Sequence, residues 1–276
     1  MTLQEAVDYG STFLSYNGVD EYDFKALCLA CAACDIPNSA YRQNRDRPIS
    51  MRRFADLLWR VKSGEPLQYV LGSWDFYKYT FSVGEGVLIP RPETEELVEH
   101  VLQQLNDMHA PVVYDLCAGS GCIGLSVARE RPDAFVYGVE KYDAAMHYLL
   151  KNANADPNFK AVQGDVLSDS FDTLPPADCI VSNPPYIAHA KLPSLQSEVQ
   201  REPATALDGG TDGLVFYRAI AEKWLPRLKA GGILAVEIGE EQGSAVQTIF
   251  APYVKDMSVL KDSAQNDRIV IAKKLD

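Results

Sequence analysis

The run Ile180-Val181-Ser182-Asn183-Pro184-Pro185-Tyr186 holds the side chains best placed to do chemistry. A short apolar stretch ends at about Ser182, and two prolines follow almost at once. Each proline fixes φ and has no N–H to donate. Pro184 also drives Asn183 out of the helical region, and Pro185 does the same to Pro184. The outcome is a stiff extended segment just past a strand, with an amide at one end and a phenol at the other. A flat NH2 group, on an amide or an arylamine, brings two N–H bonds and needs two acceptors. The Asn183 side-chain oxygen and the Pro184 carbonyl supply them, and the Tyr186 ring offers a face to stack on. The plain alternative is a rigid proline turn in which Asn183 caps its own backbone.

Three more strand ends carry carboxylates. Asp115-Leu116-Cys117-Ala118-Gly119-Ser120-Gly121-Cys122 joins an apolar strand to a helix, and its glycines let the backbone turn tightly against a ligand. The spacing Asp-x-x-x-Gly-x-Gly lacks the register of the dinucleotide fingerprint. Asp115, inside the strand, is placed to meet a cationic ligand group. Glu140 ends the next strand, where a carboxylate can take both hydroxyls of a ribose. Asp165 follows the third strand and can accept the exocyclic amine of an adenine, with Val166 and Leu167 as apolar walls. Any one of these carboxylates can be a solvated strand end. Three at consecutive strand ends, with Asn-Pro-Pro-Tyr at the fourth, describe one ligand site.

The elements that must position these residues alternate. Strands are expected at Val112–Leu116, Phe135–Glu140, Lys160–Gln163, Cys179–Ser182 and Ile233–Ile238, with helices between all but the third and fourth. One of these helices is expected to run unbroken from Leu214 to Leu228, closed by Ala230-Gly231-Gly232. Alternating βα units imply a parallel sheet with helices on both faces. Met257–Leu260 and Ile269–Ala272 have no helix between them, which implies an antiparallel edge hairpin. Before this body, residues 1–66 read as a small helical domain, with Ser50 capping its third helix and Gly64 stopping it. Gln68–Gly72 and Phe76–Val83 read as a hairpin, making 67–87 a connector, and 88–276 is the catalytic domain.

Composition narrows the function. The chain has 276 residues and a net charge of −12, which argues against holding a phosphate backbone as its main task. Arg42, Arg45, Arg47, Arg52 and Arg53 in the helical domain form a solvated surface or a contact face for a partner. The start, Met1-Thr2-Leu3-Gln4-Glu5, has no basic run leading into an apolar one, and no stretch reaches the ~20 apolar residues of a membrane span. A cytoplasmic setting is expected. Cys28, Cys31 and Cys34 recur every third residue within a helical pattern and read as buried thiols, and no metal is expected.

Read in order, Gly64 to Gly72, Val87-Leu88-Ile89-Pro90-Arg91-Pro92-Glu93-Thr94-Glu95, the loop Asp115–Gly121, Asn183–Tyr186, Val236-Glu237-Ile238-Gly239 and Asp267-Arg268 resemble the HemK/PrmC family. The resemblance spans nearly the whole chain. It implies a class I methyltransferase (Rossmann-like) α/β fold, with a mostly parallel seven-stranded sheet. It implies S-adenosyl-L-methionine as methyl donor and peptide chain release factors as protein substrate. The activity would be N5-methylation of the glutamine in their Gly-Gly-Gln motif, by a monomer with no direct nucleic-acid or membrane partner. Asp115, Cys117, Ala118, Gly119, Ser120, Gly121, Glu140, Asp165, Val166 and Asn183 would bind the cofactor. Asn183, Pro184, Pro185 and Tyr186 would be catalytic, and these with Arg91 and Glu93 would meet the substrate. An N6-adenine methyltransferase and a ribosomal-protein glutamine methyltransferase are the alternatives. The chain departs from the family at Cys117, commonly glycine, at Val166, tryptophan in some members, and at the turn Gln265–Arg268, which lacks a glycine. The loop at Cys117 is expected to keep its path.

Overall fold

A computed structural model describes all 276 residues, divided into two units. The first comprises residues 1–73 and 196–201. Its helices are α1 (Leu3–Tyr16), α2 (Tyr22–Ala33), α3 (Met51–Lys62) and the short α4 (Leu67–Leu71). Thr2 opens α1 with a capping box to Glu5, and Ser50 accepts from the Arg53 N–H at the start of α3. Cys28 and Cys31 face inward on α2, with Cys34 at its C-cap; all three are buried and free. Lys25 is buried and its ammonium pairs with Glu198 at 2.5 Å. The five arginines are exposed, and Arg53 pairs with Asp35.

Residues 67–71 correct the sequence reading. Their aromatic and β-branched content suggested a strand, but Leu67, Tyr69 and Val70 are buried along a single helical turn that Gly72 ends at φ +75°. The hairpin lies just beyond, as β1 (Ser73–Phe76) and β2 (Tyr79–Ser82).

The second unit comprises 74–195 and 202–276. Its elements are α5 (Pro92–Leu105), β3 (Val112–Leu116), α6 (Cys122–Glu130), β4 (Phe135–Glu140), α7 (Asp143–Asn152), β5 (Phe159–Gln163), β6 (Ala177–Ser182), α8 (Val215–Ala219), β7 (Leu228–Glu237), α9 (Gly243–Phe250), β8 (Val254–Lys261) and β9 (Asp267–Lys274). The sheet runs β5-β4-β3-β6-β7-β9-β8. All neighbours are parallel except β7 with β9 and β9 with β8. Successive residues of a strand point to opposite faces, so the sheet separates two cores. Val113 and Val181 join Leu97, Leu125 and Leu149 from α5, α6 and α7. Tyr114 and Ile180 join Tyr217 and Phe250 from α8 and α9, with Trp224. No helix is long and apolar enough to cross a membrane.

The expected helix from Leu214 to Leu228 is broken up. Only Val215–Ala219 is α-helical; a wider turn spans Ile220–Trp224 and a tighter one Leu225–Arg227. Pro226 has no N–H to continue the ladder. Ala230-Gly231-Gly232 does not end a helix. It is a bulge inside β7, where Ala177 pairs with Leu228 but Cys179 pairs with Ile233, and Gly231 takes φ +71°.

The register sets the level at which each strand releases its loop. Leu116 pairs with Val139 and with Ser182, and Ser182 pairs with Val236. The residues that follow, Cys117, Glu140, Asn183 and Glu237, therefore leave the sheet side by side at its carboxyl edge. From β3 the chain builds outward through β4 and β5, then returns to the other side at β6. Such a reversal opens a crevice at the strand ends.

Gly138 in the middle of β4 has no room for a side chain: a Cβ would stand 2.4 Å from Phe159 Cζ and 3.3 Å from Ala118 Cβ. Gly138→Ala is expected to destabilise the fold by about 1–3 kcal/mol through overpacking. Adding Phe159→Leu should recover part of that loss. Urea unfolding checks both, and an unchanged midpoint for the single variant would contradict this packing.

Candidate active site

The loop from β3 to α6 turns on three left-handed residues, Cys117 at φ +60°, Gly119 at +56° and Gly121 at +81°. Glycine adopts this region freely, whereas a side chain is strained there. Cys117 accepts the conformation although it carries a side chain. The cross-strand bond from Ala118 N–H to the Val139 carbonyl, 3.0 Å, helps hold it. Burial pushes the Cys117 thiol well above its ordinary value, with the charges of Glu140 and Asp115 adding to the rise. It is a neutral wall of the loop.

The carboxylates at the strand ends differ in use. Glu140 Oε2 accepts the Gly119 N–H at 2.9 Å, and its Oε1 accepts the N–H groups of Lys141 and Tyr142 at 2.8 and 2.9 Å. The glycine loop and the end of β4 are thus tied together through one side chain. Asp165 accepts from Leu167 N–H at 2.9 Å and pairs with the Lys141 ammonium at 2.9 Å. Partial burial opposes its charge, but those two partners hold its carboxyl below the usual range. Asp115 is fully buried. Its Oδ2 accepts the Gly124 N–H at 2.8 Å, and its Oδ1 has no partner.

Asn183 leaves β6 beside this loop. Its Nδ2 donates to Thr94 Oγ1 at 3.1 Å, and Thr94 donates onward to Glu237 Oε2 at 2.6 Å. Tyr186, at the other end of the proline pair, donates to Glu237 Oε1 at 3.3 Å. Burial pushes the Glu237 carboxyl up to about 7, with Thr94 and Arg268 working against the rise. Asn183 Oδ1 and the Pro184 carbonyl accept no hydrogen bond from the protein. On the facing segment, Ile89 N–H donates to Glu202 at 2.9 Å and Arg91 pairs with the same carboxylate. The Arg91 guanidinium thus braces its own loop.

Together these segments enclose a cavity of about 920 Å³, open mouth included. Of the residues singled out in the sequence, Arg91, Cys117, Ala118, Gly119, Ser120, Glu140, Asp165, Val166, Asn183 and Pro185 line it. Five do not. Asp115 is drawn beneath the loop by Gly124, and Gly121 packs against Leu149 and Leu125. Pro184 is buried, Tyr186 turns its hydroxyl to Glu237, and Glu93 is exposed on α5. Leu167, read as an apolar wall, lines it too; Thr94, Phe216, Pro203, Thr205 and Ala206 line the cavity without having been singled out, and Glu237 lies behind Thr94. Glu237 carried a readable signal, a carboxylate within an apolar strand, which must find donors when buried.

The family model for the PrmC N-terminal domain matches residues 5–72, and that for the methyltransferase small domain matches residues 93–223. A release factor glutamine methyltransferase of Thermodesulfovibrio yellowstonii is 40% identical over 224 residues, 79% of this chain and 80% of that protein. One of Moorella thermoacetica is 36% identical over 280 residues, 99% and 98% of the two chains. Among solved structures, a 16S rRNA methyltransferase (RsmC) of T. thermophilus, in complex with AdoMet and guanosine, superposes with a TM-score of 0.52. It is 24% identical and covers 73% of this chain and 49% of that one, a likeness of fold.

Asp115 gives a pH signature. In the unfolded chain an aspartate titrates near 4, whereas burial raises the folded value to about 7. The folded state holds the proton more tightly, so this stabilisation is complete below the unfolded value and is lost as pH rises through about 7. Asp115→Asn keeps an acceptor for Gly124 and cannot titrate. Its stability relative to the unaltered protein is expected to improve steadily as pH rises from about 4 to above 7, read by urea unfolding across that range. A constant difference would contradict the burial of a titrating group.

Proposed function

The chain belongs to the release factor glutamine methyltransferases, and from that premise we propose that it methylates the side-chain amide nitrogen of the glutamine in the Gly-Gly-Gln motif of peptide chain release factors. S-adenosyl-L-methionine is the proposed methyl donor. The cavity suits it on two counts. Its lining brings the glycine loop together with the strand-end residues Glu140, Asp165 and Val166. A Cβ built on Gly119 would meet only Val87 Cγ2, at 3.9 Å, so a backbone approach to the loop stays open. Glu140 would take the ribose hydroxyls, Asp165 and Val166 would frame the adenine, and residues 117–120 would wall the remainder. When bound, the donor supplies a methyl group on a cationic sulfur.

The observation that carries the reading is an unclaimed acceptor at the cavity, Asn183 Oδ1, with the Pro184 carbonyl, also without a protein donor, next along the chain. An amide nitrogen is a weak nucleophile because its lone pair is delocalised. Two acceptors on its N–H bonds hold the NH2 plane, keep electron density on nitrogen and stabilise the positive charge that grows there as the new C–N bond forms. The bond broken would be the donor's carbon–sulfur bond, and the nitrogen would then release one proton to water. Proline on either side of the Pro184 carbonyl keeps that acceptor still, and orientation of this kind supplies up to about 7–11 kcal/mol of the barrier. Arg91, which lines the cavity and is braced by Glu202, and Glu93 on α5 are the proposed contacts to the substrate. The helical unit, with its exposed arginines, is the proposed reader of the release factor.

The test is incubation with labelled S-adenosylmethionine and a release factor, beside one whose Gly-Gly-Gln glutamine is replaced by alanine, and beside single- and double-stranded DNA. Label in the first alone is expected; label in DNA would favour the adenine alternative. Asn183→Ala should lower kcat about 100-fold or more while cofactor affinity, by calorimetry, stays within about twofold. Glu140→Ala should instead weaken cofactor binding by roughly 10- to 100-fold. Undiminished turnover in the first variant or unchanged affinity in the second would remove that residue from its role.

A further inference from the structure

We propose that Thr94 and Glu237 are positioning residues that set which way the Asn183 carboxamide faces. This rests on the glutamine reading above and deepens it. Thr94 carries one hydroxyl hydrogen, and it is spent on Glu237 Oε2 at 2.6 Å. Its oxygen can then only accept. The 3.1 Å contact with Asn183 therefore requires an N–H from the amide, and Asn183 Oδ1 is left for the cavity. Reversing the amide would set two acceptors face to face, at a distance where each needs a hydrogen.

The direction of the chain is dictated by its buried end. Glu237 is 2% exposed at the tip of β7, and its other oxygen accepts from Tyr186. One carboxylate thereby holds both ends of the Asn183–Tyr186 segment, Asn183 through Thr94 and Tyr186 directly. Around it stand Thr94 and Glu93 from α5, Cys122 from α6, Tyr186 from the loop, Tyr217 from α8 and Arg268 from β9. Tyr217 is tied to the Glu237 carbonyl at 2.9 Å, and Arg268 is paired with Asp262. If Glu237 gains a proton, its own O–H can donate to Thr94. The threonine hydroxyl is then free to donate to Asn183, and the amide can turn its oxygen inward. With the Glu237 carboxyl raised to about 7, the productive orientation is favoured above that value and lost below it.

Thr94→Val keeps the shape and removes the hydroxyl. It is expected to lower kcat about 100-fold with little change in cofactor affinity, whereas Thr94→Ser should restore most of the rate. A folded Thr94→Val with unaltered kcat would overturn the proposal. A second measurement needs no methyl acceptor. The Asn183 side-chain amide signals in a nitrogen–proton NMR spectrum, assigned by their loss in Asn183→Asp, should shift with a midpoint near that of Glu237, about 7. In Glu237→Gln the shift should vanish. Signals in the unaltered protein that stay fixed over roughly two pH units on either side would equally overturn it. Absence of methyl transfer to the release factor by the unaltered protein sinks the glutamine reading instead, and leaves the spectroscopic result to judge the relay.

Discussion

A carboxylate inside the sheet must either collect donors or surrender its charge, and Glu237 organises the site through that constraint. It is 2% exposed, and its side-chain partners come from the protein. Thr94 arrives from the first turn of α5 and Tyr186 from the proline-stiffened loop. Three runs lying far apart along the chain, Ile89–Glu95, Asn183–Tyr186 and Val236–Gly239, meet around one group. The two prolines make the loop stiff. Glu237 determines where that stiffness points.

Sheet register does the complementary work. Because Leu116, Ser182 and Val236 lie level across β3, β6 and β7, the glycine loop, Asn183 and Glu237 emerge at the same height. The reversal of chain direction between β3 and β6 opens the space between them. A slip of one residue in any strand would turn its side chains to the opposite face and break this alignment. The packing on both faces, Val113 and Val181 on one and Tyr114 and Ile180 on the other, guards against that slip.

Two of the three departures from the family pattern share a backbone conformation. Cys117 and Gln265 both sit in the left-handed region, at φ +60° and +68°, where glycine would be relaxed. A side chain there costs about 1 kcal/mol or more. At 117 the loop is pinned by its neighbours, the Ala118 bond to Val139 and the Gly119 bond to Glu140. At 265 the turn is held by Asp262, which accepts from the N–H groups of Ala264 and Asn266.

Much of this was legible in one dimension. Alternating apolar runs marked all seven strands of the main sheet and the antiparallel pair, because burial on two faces leaves few other ways to write them. Glycine and proline marked the two loops that shape the cavity, because their backbone limits are local. Where reading failed, a local preference lost to its surroundings. Leu67–Leu71 looked like a strand and folded as a helical turn, and Pro226 divided the segment before β7. Asp115 was expected to face a ligand and instead lies buried beneath the loop, held by Gly124. Sequence alone determined the seven strands of the main sheet and the carboxylates of Glu140 and Asp165 at their ends, and it singled out Asn183 and Pro184. Only the tertiary structure decided which way the Asn183 amide faces, because its partner Thr94 lies 89 positions away and takes its own direction from Glu237, another 143 from Thr94.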